Sequence, residues 1–341
     1  MSYLKNAWYP IAWTDEVTPD QLFSRIVAEE AIVLYRKQDG SMVALQDRCP
    51  HRFLPLHRGR LRDDAIHCGY HGLAFSSDGH CIGNPQGPIP SEAKVRTFPV
   101  EEAYHLLWVW LGSDGLADRS KIPNYDFLTK CPPSARAQGY LFTSGNYQLV
   151  TDNIMDLSHI DFLHQTTLGG GGISQTRPKV EQIGERIIIK WASTGQQAPP
   201  IVTSYLPHPD SLVDQFMEVE WVPPGSMTLT NTIVPQGFGE EHHLVSKAIH
   251  LSVPETATTA HYFWGGFRSY VSDPEVTRHH QQIIQHVFAT EDKPALEAIQ
   301  SAMGDGTDIL AMKPLVLPSD MGALRARRVL QKLIAAESAS A

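Results

Sequence analysis

The sequence predicts an α+β protein of two domains, the first all-β and the second a sheet with helices packed on it. Three observations predict this architecture. The chain has 341 residues, of which 42% are hydrophobic and 19% are charged, enough for two hydrophobic cores. Strand-like segments fill residues 1–115, whereas strand-like and helical segments are mixed in residues 116–341. A loop-like stretch begins near residue 116, and we place the domain boundary there.

The first domain is predicted to contain a β-hairpin and a further apolar strand. The segments RIVAEEAIVLYR and SMVALQD flank the turn-prone KQDG, and the second segment leads directly into Cys49. The segment HLLWVWLG, residues 105–112, has the aromatic and apolar content of a buried strand. The motifs CPHR and CGYHG carry a Pro or Gly beside their Cys and His residues, so we expect them in tight loops at strand ends.

The second domain is predicted to open with a helix and to continue into an antiparallel sheet. Residues 147–164, YQLVTDNIMDLSHIDFLH, have an apolar pattern typical of a helix. Asp273 as N-cap and Pro274 at the first helical position begin a later long helix, which Pro294 kinks or restarts. An amphipathic helix over residues 324–334 follows. The strand-like segments lie between the first of these helices and the helix capped by Asp273. They are RIIIKWAS, QFMEVEWV, MTLTNTIVP, VSKAIHLSV and HYFWGGF.

Composition narrows the classes of partner. The 28 Lys and Arg residues against 37 Asp and Glu residues give a net charge of −9, without any basic run, so neither nucleic acid nor an anionic membrane surface is expected as a partner. The N-terminus lacks a signal-peptide pattern and no segment reads as a membrane span, so we expect a cytoplasmic protein. Four cysteines are too few for a disulfide scaffold, and we expect Cys81 and Cys131 to be reduced thiols without chemistry.

Residues 49–71 contain two mixed pairs of metal ligands. Cys49-x-His51 is followed, after sixteen residues, by Cys68-x-x-His71. Zinc fingers and ribbons usually group Cys with Cys and His with His, whereas here each loop offers one sulfur and one nitrogen. In a Rieske [2Fe–2S] centre two cysteines bind one iron and two histidines bind the other, so each loop spans the cluster. The spacing therefore predicts a Rieske cluster, with a structural tetrahedral zinc site as the alternative.

A second group of candidate ligands lies in the first helix of the second domain. Asp152, Asp156 and His159 are spaced to share one helical face, so a carboxylate can orient the imidazole. His159 and His164 lie about 140° apart around a regular helix, so the helix must end or bulge between them if both bind one metal. Two histidines and a later carboxylate would form the facial triad of non-haem Fe(II) oxygenases. Packing or surface roles for both histidines are the alternative.

Together the two motifs resemble the Rieske non-haem iron ring-hydroxylating oxygenases, over nearly the whole chain. KNAWYPIAW, CPHR, CGYHGL, DNIMDLSHIDFLH and PETATTAHYFWG are similar to segments of the vanillate and dicamba O-demethylase oxygenase components. The resemblance implies an N-terminal Rieske domain and a START-like helix-grip catalytic domain, with His159 and His164 as iron ligands. It places the third ligand on Asp292, and Glu291 and Glu297 are alternatives.

The resemblance also implies roles for four further residues and for the assembly. Subunits would form a head-to-tail homotrimer, in which Asp156 lies between the cluster of one subunit and the iron of the next and accepts hydrogen bonds from His159 and a cluster histidine. Asn153 matches an asparagine near the iron. His250 matches a substrate-contacting histidine, and Asn231 is a weaker candidate because its spacing differs. At Ile283 the dicamba enzyme has a tryptophan, which argues against dicamba as the substrate.

The implied activity is that of the terminal oxygenase of a multicomponent monooxygenase, which uses O₂ to oxidise an aromatic substrate. Electrons would come from a separate reductase or ferredoxin component, itself supplied by NAD(P)H through a flavin, that docks near His51 and His71. The sequence itself has no nicotinamide or flavin motif, because the glycine run of residues 169–172 follows a predicted helix rather than a strand. We expect that run to be a mobile loop near the mouth of the active site.

The implied reaction is O-demethylation of a methoxy aromatic acid with release of formaldehyde. N-demethylation and hydroxylation of a methyl group or ring of another aromatic are alternatives within the class. A Rieske-type electron carrier without oxygenase activity and a zinc-stabilised ligand-binding protein are alternatives from other classes, since a fold does not fix a function.

Overall fold

The computed structural model describes residues 3–340, which fall into two compact units that divide between Ile122 and Pro123. The division lies after the boundary predicted at residues 115–116. The intervening segment belongs to the first unit because it is bonded there: Trp8 Nε1 donates to the carbonyl of Asp118 at 2.9 Å. Arg119 forms an ion pair with Glu101 at 2.6 Å in the same region.

The first unit consists of three small antiparallel sheets joined by loops and 3₁₀ turns. Their strand orders are β1-β10-β9, β2-β3-β4 and β5-β6-β7-β8. The strands are β1 (Trp8–Trp13), β2 (Phe23–Val27), β3 (Glu30–Arg36), β4 (Met42–Gln46), β5 (Arg60–Arg62), β6 (Ala65–His67), β7 (Ala74–Phe75), β8 (Cys81–Gly83), β9 (Val100–Ala103) and β10 (Leu106–Trp110).

The predicted hairpin is present, with one more turn than the sequence pattern indicated. RIVAEEAIVLYR forms two strands rather than one, since Ala28 and Glu29 adopt positive φ angles and turn the chain between β2 and β3. KQDG joins β3 to β4 as predicted, with Gly40 at φ 85°. The apolar segment 106–110 is the central strand of its sheet and is buried along its whole length, which accounts for its unbroken apolar run.

The second unit is built on one seven-stranded antiparallel sheet, as the predicted α+β class requires. Its strand order is β11-β17-β16-β15-β14-β13-β12. The strands are β11 (Arg136–Thr143), β12 (Lys179–Ile183), β13 (Arg186–Gln197), β14 (Leu212–Val222), β15 (Ser226–Pro235), β16 (Leu244–Pro254) and β17 (Ala260–Arg268). The five predicted strands are β13 to β17, and the sheet adds β11 and β12 at its two edges.

Six α-helices accompany the sheet in the described residues. They are α1 (Asp126–Lys130), α2 (Tyr147–Met155), α3 (Ile160–Leu163), α4 (Pro274–Val287), α5 (Lys293–Met303) and α6 (Met321–Ser340). Asp273 caps α4 as predicted, because its carboxylate accepts from the N–H groups of Glu275 and Val276. Between α4 and α5 the chain forms a single π-helical turn, Phe288–Asp292. The long helix is therefore interrupted before Pro294, which stands in the first turn of α5.

An apolar cluster holds α2 and the α4–α5 segment against the β17 side of the sheet. Leu149 and Val150 from α2 meet Val287 and Phe288 at the π turn, and the aromatic rings of β17 complete the cluster. The second unit thus brings together α2, the π turn and one face of the sheet. The residues of the second predicted metal motif lie on α2, on the segment through α3 that follows it, and on the π turn.

A buried ion pair fixes α6 to α2. Arg327 is 3% exposed and its Nε and Nη2 donate to the Asp152 carboxylate at 2.9 and 2.6 Å. Its Nη1 donates to Oε1 of Gln148 at 2.6 Å. Asp152 therefore faces Arg327 rather than an imidazole, unlike the sequence-based interpretation that grouped it with His159. Breaking such a pair leaves one charge buried without compensation.

We expect Arg327→Met to lower the free energy of unfolding of the protein by about 3 kcal/mol, because the substitution breaks a buried ion pair. This value is the lower end of the usual range, since a quarter of the Asp152 side chain stays accessible to solvent. Chemical denaturation followed by far-UV circular dichroism measures the change. Arg328→Met is the matched control, since Arg328 is the exposed neighbour on the same helix and should change stability by less than about 0.5 kcal/mol. Equal effects of the two substitutions would contradict this account.

Candidate metal centres

Two loops of the first unit hold the Cys and His pairs in the same backbone geometry. The N–H of Cys49 donates to the carbonyl of Leu54 at 2.9 Å. The N–H of Cys68 makes the equivalent bond, to the carbonyl of Leu73 at 2.8 Å. In both loops the residue four positions after the cysteine has a positive φ, 62° in the first and 77° in the second. The loops are therefore structural copies of each other, one after β4 and one after β6.

The sulfur atoms lie inside these loops and the imidazoles lie outside. Cys49 and Cys68 are 2% and 4% exposed, and their thiols contact each other. The rings of His51 and His71 lie nearer the surface, with centroids 4.5 Å apart. Among residues 3–340, no group hydrogen-bonds the buried Nδ1 of His71. Two inner sulfurs and two outer nitrogens, one of them without a protein partner, fit the donor set of a Rieske [2Fe–2S] cluster.

Protonation chemistry also favours a metal cluster at these loops. Burial raises the pKa of the Cys49 thiol to about 11, and the neighbouring Cys68 thiol adds to this. Thiolates bind metals and thiols do not, so a cationic centre is needed to hold both sulfurs deprotonated in this apolar setting. The other two cysteines have no such arrangement: Cys81 Sγ lies 3.4 Å from the carbonyl of Gly83, and Cys131 Sγ lies 3.4 Å from the carbonyl of Leu128.

Asp47 anchors the first cluster loop, and sequence reasoning missed it. This carboxylate is 4% exposed and lies two residues before Cys49. It accepts hydrogen bonds from the N–H of His57 at 2.8 Å and from Oγ of Ser24 at 2.6 Å. It thus joins the loop to β2 and to the turn that follows. A lone aspartate directly after the apolar strand MVALQ and two residues before Cys49 was the signal that could have identified it.

In the second unit, a break in the helix brings the two predicted histidine ligands together. Asp156 leaves the helical conformation, with φ −119° and ψ 91°, directly after α2. A 3₁₀ turn, Leu157–His159, and the short α3 follow, and His164 is the C-terminal cap of α3. The rings of His159 and His164 consequently lie edge to face with centroids 5.2 Å apart. The predicted interruption exists, but most of it precedes His159 instead of lying between the histidines.

Asp156 orients His159 through its backbone. The carbonyl of Asp156 accepts a bond from Nδ1 of His159 at 2.6 Å, while its carboxylate accepts from the N–H of Ser158 at 2.9 Å and caps the 3₁₀ turn. The sequence-based interpretation placed the bond from His159 on the carboxylate. The helix ends at Asp156, and its carboxylate turns back to the backbone to cap the 3₁₀ turn, as Asp side chains do at N-caps. It is therefore not directed to the His159 ring.

Asp292 completes a three-residue group with the two histidines. One ligand atom each from His159, His164 and Asp292 lie within 4.8 Å of one another. Asp292 Oδ1 is 3.2 Å from Nε2 of His164 and 3.5 Å from Nε2 of His159. Its Oδ2 is buried and accepts no hydrogen bond from any described residue. Two imidazole nitrogens and one carboxylate are the donor set that non-haem Fe(II) oxygenases use.

The electrostatics of this group favour an ionised carboxylate. Burial alone would raise the pKa of Asp292, but the bonds from His159 and His164 outweigh it and lower the pKa to about 2. Burial likewise acts to lower the pKa of His164, and its bonds to Asp292 and Glu291 outweigh that and raise it. The site therefore concentrates negative charge around two imidazoles, which suits a bound cation.

Glu291 holds the other side of the His164 ring. Its Oε2 lies 2.6 Å from His164 Nδ1, whereas Asp292 bonds Nε2 of the same ring. Two consecutive carboxylates can grip opposite edges of one imidazole because they lie on the π turn, which widens the helix at this point. Glu291 is therefore placed to orient a candidate ligand and lies outside the group that could hold a metal, and metal-binding histidines commonly have such a carboxylate on their second nitrogen.

Asn153 and Glu297, the two remaining candidates from the sequence, differ in whether they contact the three-residue group. Asn153 joins the group, because its Nδ2 donates to Asp292 Oδ1 at 3.0 Å and lies 3.4 Å from His159 Nε2. Glu297 does not, since it accepts a bond from the N–H of Ser144 at 2.9 Å. This geometry supports Asp292 rather than Glu297 as the third ligand.

A cavity of about 210 Å³ opens beside the three-residue group. Most of its wall is apolar, and it includes the candidate ligand side chains His159, His164 and Asp292. Two of the predicted substrate residues, His250 and Asn231, line it. The apolar part of the wall consists mainly of Ala137, Ile154, Leu157, Ile160, Leu168, Pro199, Ile201, Val202, Met217, Leu229, Ile233, Ala248, Trp264, Ile284 and Phe288.

The third predicted substrate residue, Ile283, is not in the cavity wall. It packs against the apolar cluster around Leu149 and Val287, and its neighbour Ile284 lines the cavity. One residue along a helix turns the side chain by about 100°, so the matching by spacing alone missed the correct face.

The glycine run follows His164 and adjoins the cavity through Leu168. Gly169 is required for close approach, because a Cβ there would lie 2.4 Å from the carbonyl oxygen of Ile160. The Asp161 carboxylate accepts from the N–H groups of Gly171 at 2.8 Å and Ser174 at 2.7 Å. The run therefore wraps around the end of α3 and is fastened there by one side chain.

Two family models match the chain over the regions that carry these centres. The Rieske [2Fe–2S] domain matches residues 7–99, and the vanillate O-demethylase oxygenase C-terminal domain matches residues 143–336. The chain belongs to the family of Rieske oxygenases. It is the oxygenase component of a multicomponent monooxygenase system, and the predicted order of a Rieske domain followed by a sheet-and-helix catalytic domain is confirmed.

Individual relatives of this Rieske oxygenase span its full length. It is 35% identical to the oxygenase component of chloroacetanilide N-alkylformylase from Rhizorhabdus wittichii, over 98% of this chain and 97% of the relative. It is 32% identical to the dicamba O-demethylase oxygenase component from Stenotrophomonas maltophilia, over 99% and 100%. A crystal structure of dicamba monooxygenase with bound 3,6-dichlorosalicylic acid superimposes with a TM-score of 0.90 at 30% identity, covering 99% of this chain and 100% of that one.

The described part of this Rieske oxygenase contains no helix that is both long enough and apolar enough to cross a membrane.

We expect Glu291→Gln to weaken the affinity of the catalytic domain for Fe(II) by about 10- to 100-fold, the usual cost of losing an outer carboxylate on a ligating histidine. The substituted amide keeps the size of the side chain but removes its charge from His164. Competition against a chromophoric Fe(II) chelator, with the cluster content held constant, measures this affinity. Glu275→Gln, on the exposed first turn of α4, is the control. Unchanged Fe(II) affinity in the Glu291 variant would mean that this carboxylate does not orient His164.

Proposed function

We propose that this Rieske oxygenase O-demethylates a methoxy aromatic acid and releases formaldehyde. The observation that carries the proposal is the position of His250, which enters an apolar cavity beside the group of His159, His164 and Asp292 with an unused nitrogen. An apolar cavity with a few polar groups is the usual form of a small-molecule site. The two O-demethylase relatives act, by their names, on dicamba and vanillate, and both compounds are methoxy aromatic acids.

His250 is a neutral hydrogen-bond donor to the substrate. Tyr262 Oη lies 2.6 Å from Nδ1 of His250, and burial raises the pKa of Tyr262, so the phenol keeps its proton and donates it to this nitrogen. Burial also lowers the pKa of His250 to about 4, so the ring is uncharged near pH 7. The single ring proton is then on Nε2, which is buried and has no acceptor in the described chain. A substrate oxygen is the partner this donor lacks.

The residues of the catalytic domain hold and shield the reaction. His159, His164 and Asp292 would hold Fe(II), which, together with electrons from the Rieske cluster held by Cys49, His51, Cys68 and His71, supplies the activation of O₂. Asn153 steadies the ligand carboxylate, and the apolar wall keeps bulk water from the methoxy group. In the net reaction, R–OCH₃, O₂, two electrons and two protons give R–OH, formaldehyde and water, because the hydroxylated carbon forms a hemiacetal that collapses.

Further parts of the proposal concern partners and assembly. A separate reductase or ferredoxin, supplied by NAD(P)H through a flavin, would dock against the half-exposed imidazoles of His51 and His71 in the cytoplasm. A head-to-tail homotrimer would place Asp156 between the cluster of one subunit and the iron of its neighbour. In support, the Asp156 carboxylate is only partly buried and makes a single capping bond, so it has free acceptor capacity.

Formaldehyde release tests the proposed reaction. The protein, loaded with both metal centres and supplied with NADH and a surrogate reductase, is incubated with a panel of methoxybenzoates, and formaldehyde and the phenol are measured. We expect equal amounts of both products and NADH consumption that depends on the methoxy group. A ring-hydroxylated product that retains its methoxy group would replace this proposal with ring hydroxylation, and cluster oxidation without any product would indicate an electron carrier.

We expect Asp156→Asn to reduce steady-state turnover by at least about 100-fold while the iron and sulfide contents stay unchanged. The substitution keeps the capping bond to Ser158, because the amide oxygen still accepts it, but removes the charge proposed to lie between two metal centres. Turnover, metal content and Tm are measured together, with Asp305→Asn, at an exposed aspartate after α5, as the control. Full turnover of the Asp156 variant with both centres loaded would exclude the bridging role.

N-dealkylation is a second candidate function, and one observation favours it. The relative with 35% identity is named a chloroacetanilide N-alkylformylase, and removal of an N-alkyl group oxidises a carbon attached to a heteroatom just as O-demethylation does. The same incubation with N-alkyl anilides decides between the two. Release of a dealkylated anilide with no turnover of any methoxybenzoate would establish this second function.

A further inference from the structure

The cavity face of the sheet is defined by strand alternation on β16 and β17. Successive side chains of a strand point to opposite faces, so residues of one parity share a face. Even-numbered residues within 246–250 of β16 and 264–268 of β17 line the cavity and pair directly across the two strands. These pairs are Ser246 with Arg268, Ala248 with Gly266, and His250 with Trp264.

Of the two cations at the cavity wall, only Arg268 belongs to this face. Lys247 has odd parity and pairs with Phe267 on the opposite face of the sheet. Its Nζ lies 5.0 Å from the centre of the Phe127 ring, and that ring lies 6.0 Å from the ring of Phe267. Lys247 is therefore occupied by a cation–π contact away from the cavity. Its ammonium group is thus directed to the Phe127 ring.

The guanidinium of Arg268 makes few hydrogen bonds for a partly buried cation. Its Nη2 donates to Oγ1 of Thr277 at 3.1 Å, and Thr277 in turn donates to the carbonyl of Ser134. Its Nε is buried and has no hydrogen-bond partner among residues 3–340. No carboxylate of the described chain forms an ion pair with it, although most of the other charged groups of the sheet, such as Arg186 and Lys190, have such partners. Of the five N–H donors of Arg268, one makes a hydrogen bond to another residue of the described chain.

The groups that surround Arg268 do not neutralise its charge. Burial raises the pKa of Tyr270 to about 12, so this phenol is uncharged near pH 7. Burial lowers the pKa of His280 to about 4, and the charge of Arg268 adds to this, so the ring is neutral. Nε2 of His280 is already bonded to Oη of Tyr205 at 2.9 Å. A partly buried, uncompensated cation is costly unless an anion binds there during the working cycle.

We propose that Arg268 binds the anionic group of the substrate, a carboxylate or a sulfonate on an aromatic ring. This inference rests on the proposed function and deepens it, by naming the residue that selects an acid over a neutral aromatic. A guanidinium presents parallel N–H groups that match the two oxygens of such an anion. Asn231 and Ser246 stand beside Arg268 in the same row across the sheet, since Asn231 pairs with Ser246 and Ser246 with Arg268. They add polar groups at the same end of the cavity.

The position of Arg268 also orders the substrate along the cavity. His250 lies at the metal end, because its ring is 6.0 Å from that of Phe288, on the turn that carries Asp292. Ser246, the cross-strand partner of Arg268, lies four residues away along β16, about 13 Å at roughly 3.3 Å per residue. The anion and the carbon to be oxidised therefore lie at opposite ends of the bound molecule. A para-substituted methoxy acid fits this arrangement better than an ortho-substituted one.

Equilibrium binding and turnover of matched acid and neutral ligands test the proposal. The probes are 4-methoxybenzoate, 4-methoxybenzenesulfonate, 2-methoxybenzoate and the uncharged methyl 4-methoxybenzoate. The proteins are wild type, Arg268→Gln, Arg268→Lys and, as the matched control, Lys247→Gln. Titration calorimetry on the anaerobic protein with both metal centres gives Kd without turnover, and formaldehyde release gives kcat/KM. Tm and the visible absorbance of the cluster verify that each variant is folded.

We expect Arg268→Gln to weaken binding of the para acids about 10- to 100-fold, as for loss of hydrogen bonds to a charged group, and to leave the ester within about twofold. Arg268→Lys should recover part of the loss, and Lys247→Gln should bind all four ligands like wild type. Equal losses of affinity for the para acids and for the ester would overturn the proposal. A wild-type protein that binds neither para acid more tightly than the ester would overturn it as well. If the acids bind through Arg268 but no methoxy compound yields formaldehyde, the subsite stands and the proposed O-demethylation fails.

Discussion

The catalytic domain depends on the grip of two consecutive carboxylates on one imidazole. Glu291 accepts from Nδ1 of His164 and so fixes the orientation and the tautomer of that ring, while Asp292 lies 3.2 Å from Nε2, the nitrogen that would bind a metal. Both carboxylates lie on a single π turn, a departure from the regular helix of the kind often found at functional sites. The break of the helix after α2 is its counterpart, since it turns His159 toward the same place.

The two metal centres are built by different means. In the Rieske domain, two loops of the same backbone conformation each contribute one sulfur and one nitrogen, and backbone hydrogen bonds set their shape. In the catalytic domain, side chains from two helical segments separated by more than a hundred residues converge, and a carboxylate orients the His164 ring while a backbone carbonyl orients the His159 ring. The first design is therefore local in sequence and the second is not.

This difference explains what the sequence could reveal. The Cys-x-His and Cys-x-x-His spacing identified the Rieske domain, since both loops are short and their ligands are adjacent in the chain. Alternating patterns identified β13 to β17, whereas β11 was missed because RAQGYLFT begins with polar and small residues behind two prolines. The partners of Asp152 and the exchange of Ile283 for Ile284 in the cavity wall depend on helix rotation and on the distant α6. Arg268 stood out only when strand parity and missing partners could both be read from the structure.

Helix α5 ties the π turn to the start of α2 through two side chains. Glu297 accepts from the N–H of Ser144 at 2.9 Å, and Gln300 accepts from the N–H of Asn146 at 2.9 Å. Deleting one residue from the π turn would restore an ordinary helix but rotate both contacts away from their partners. The extra residue of the π turn therefore sets the rotation of α5, on which both contacts depend.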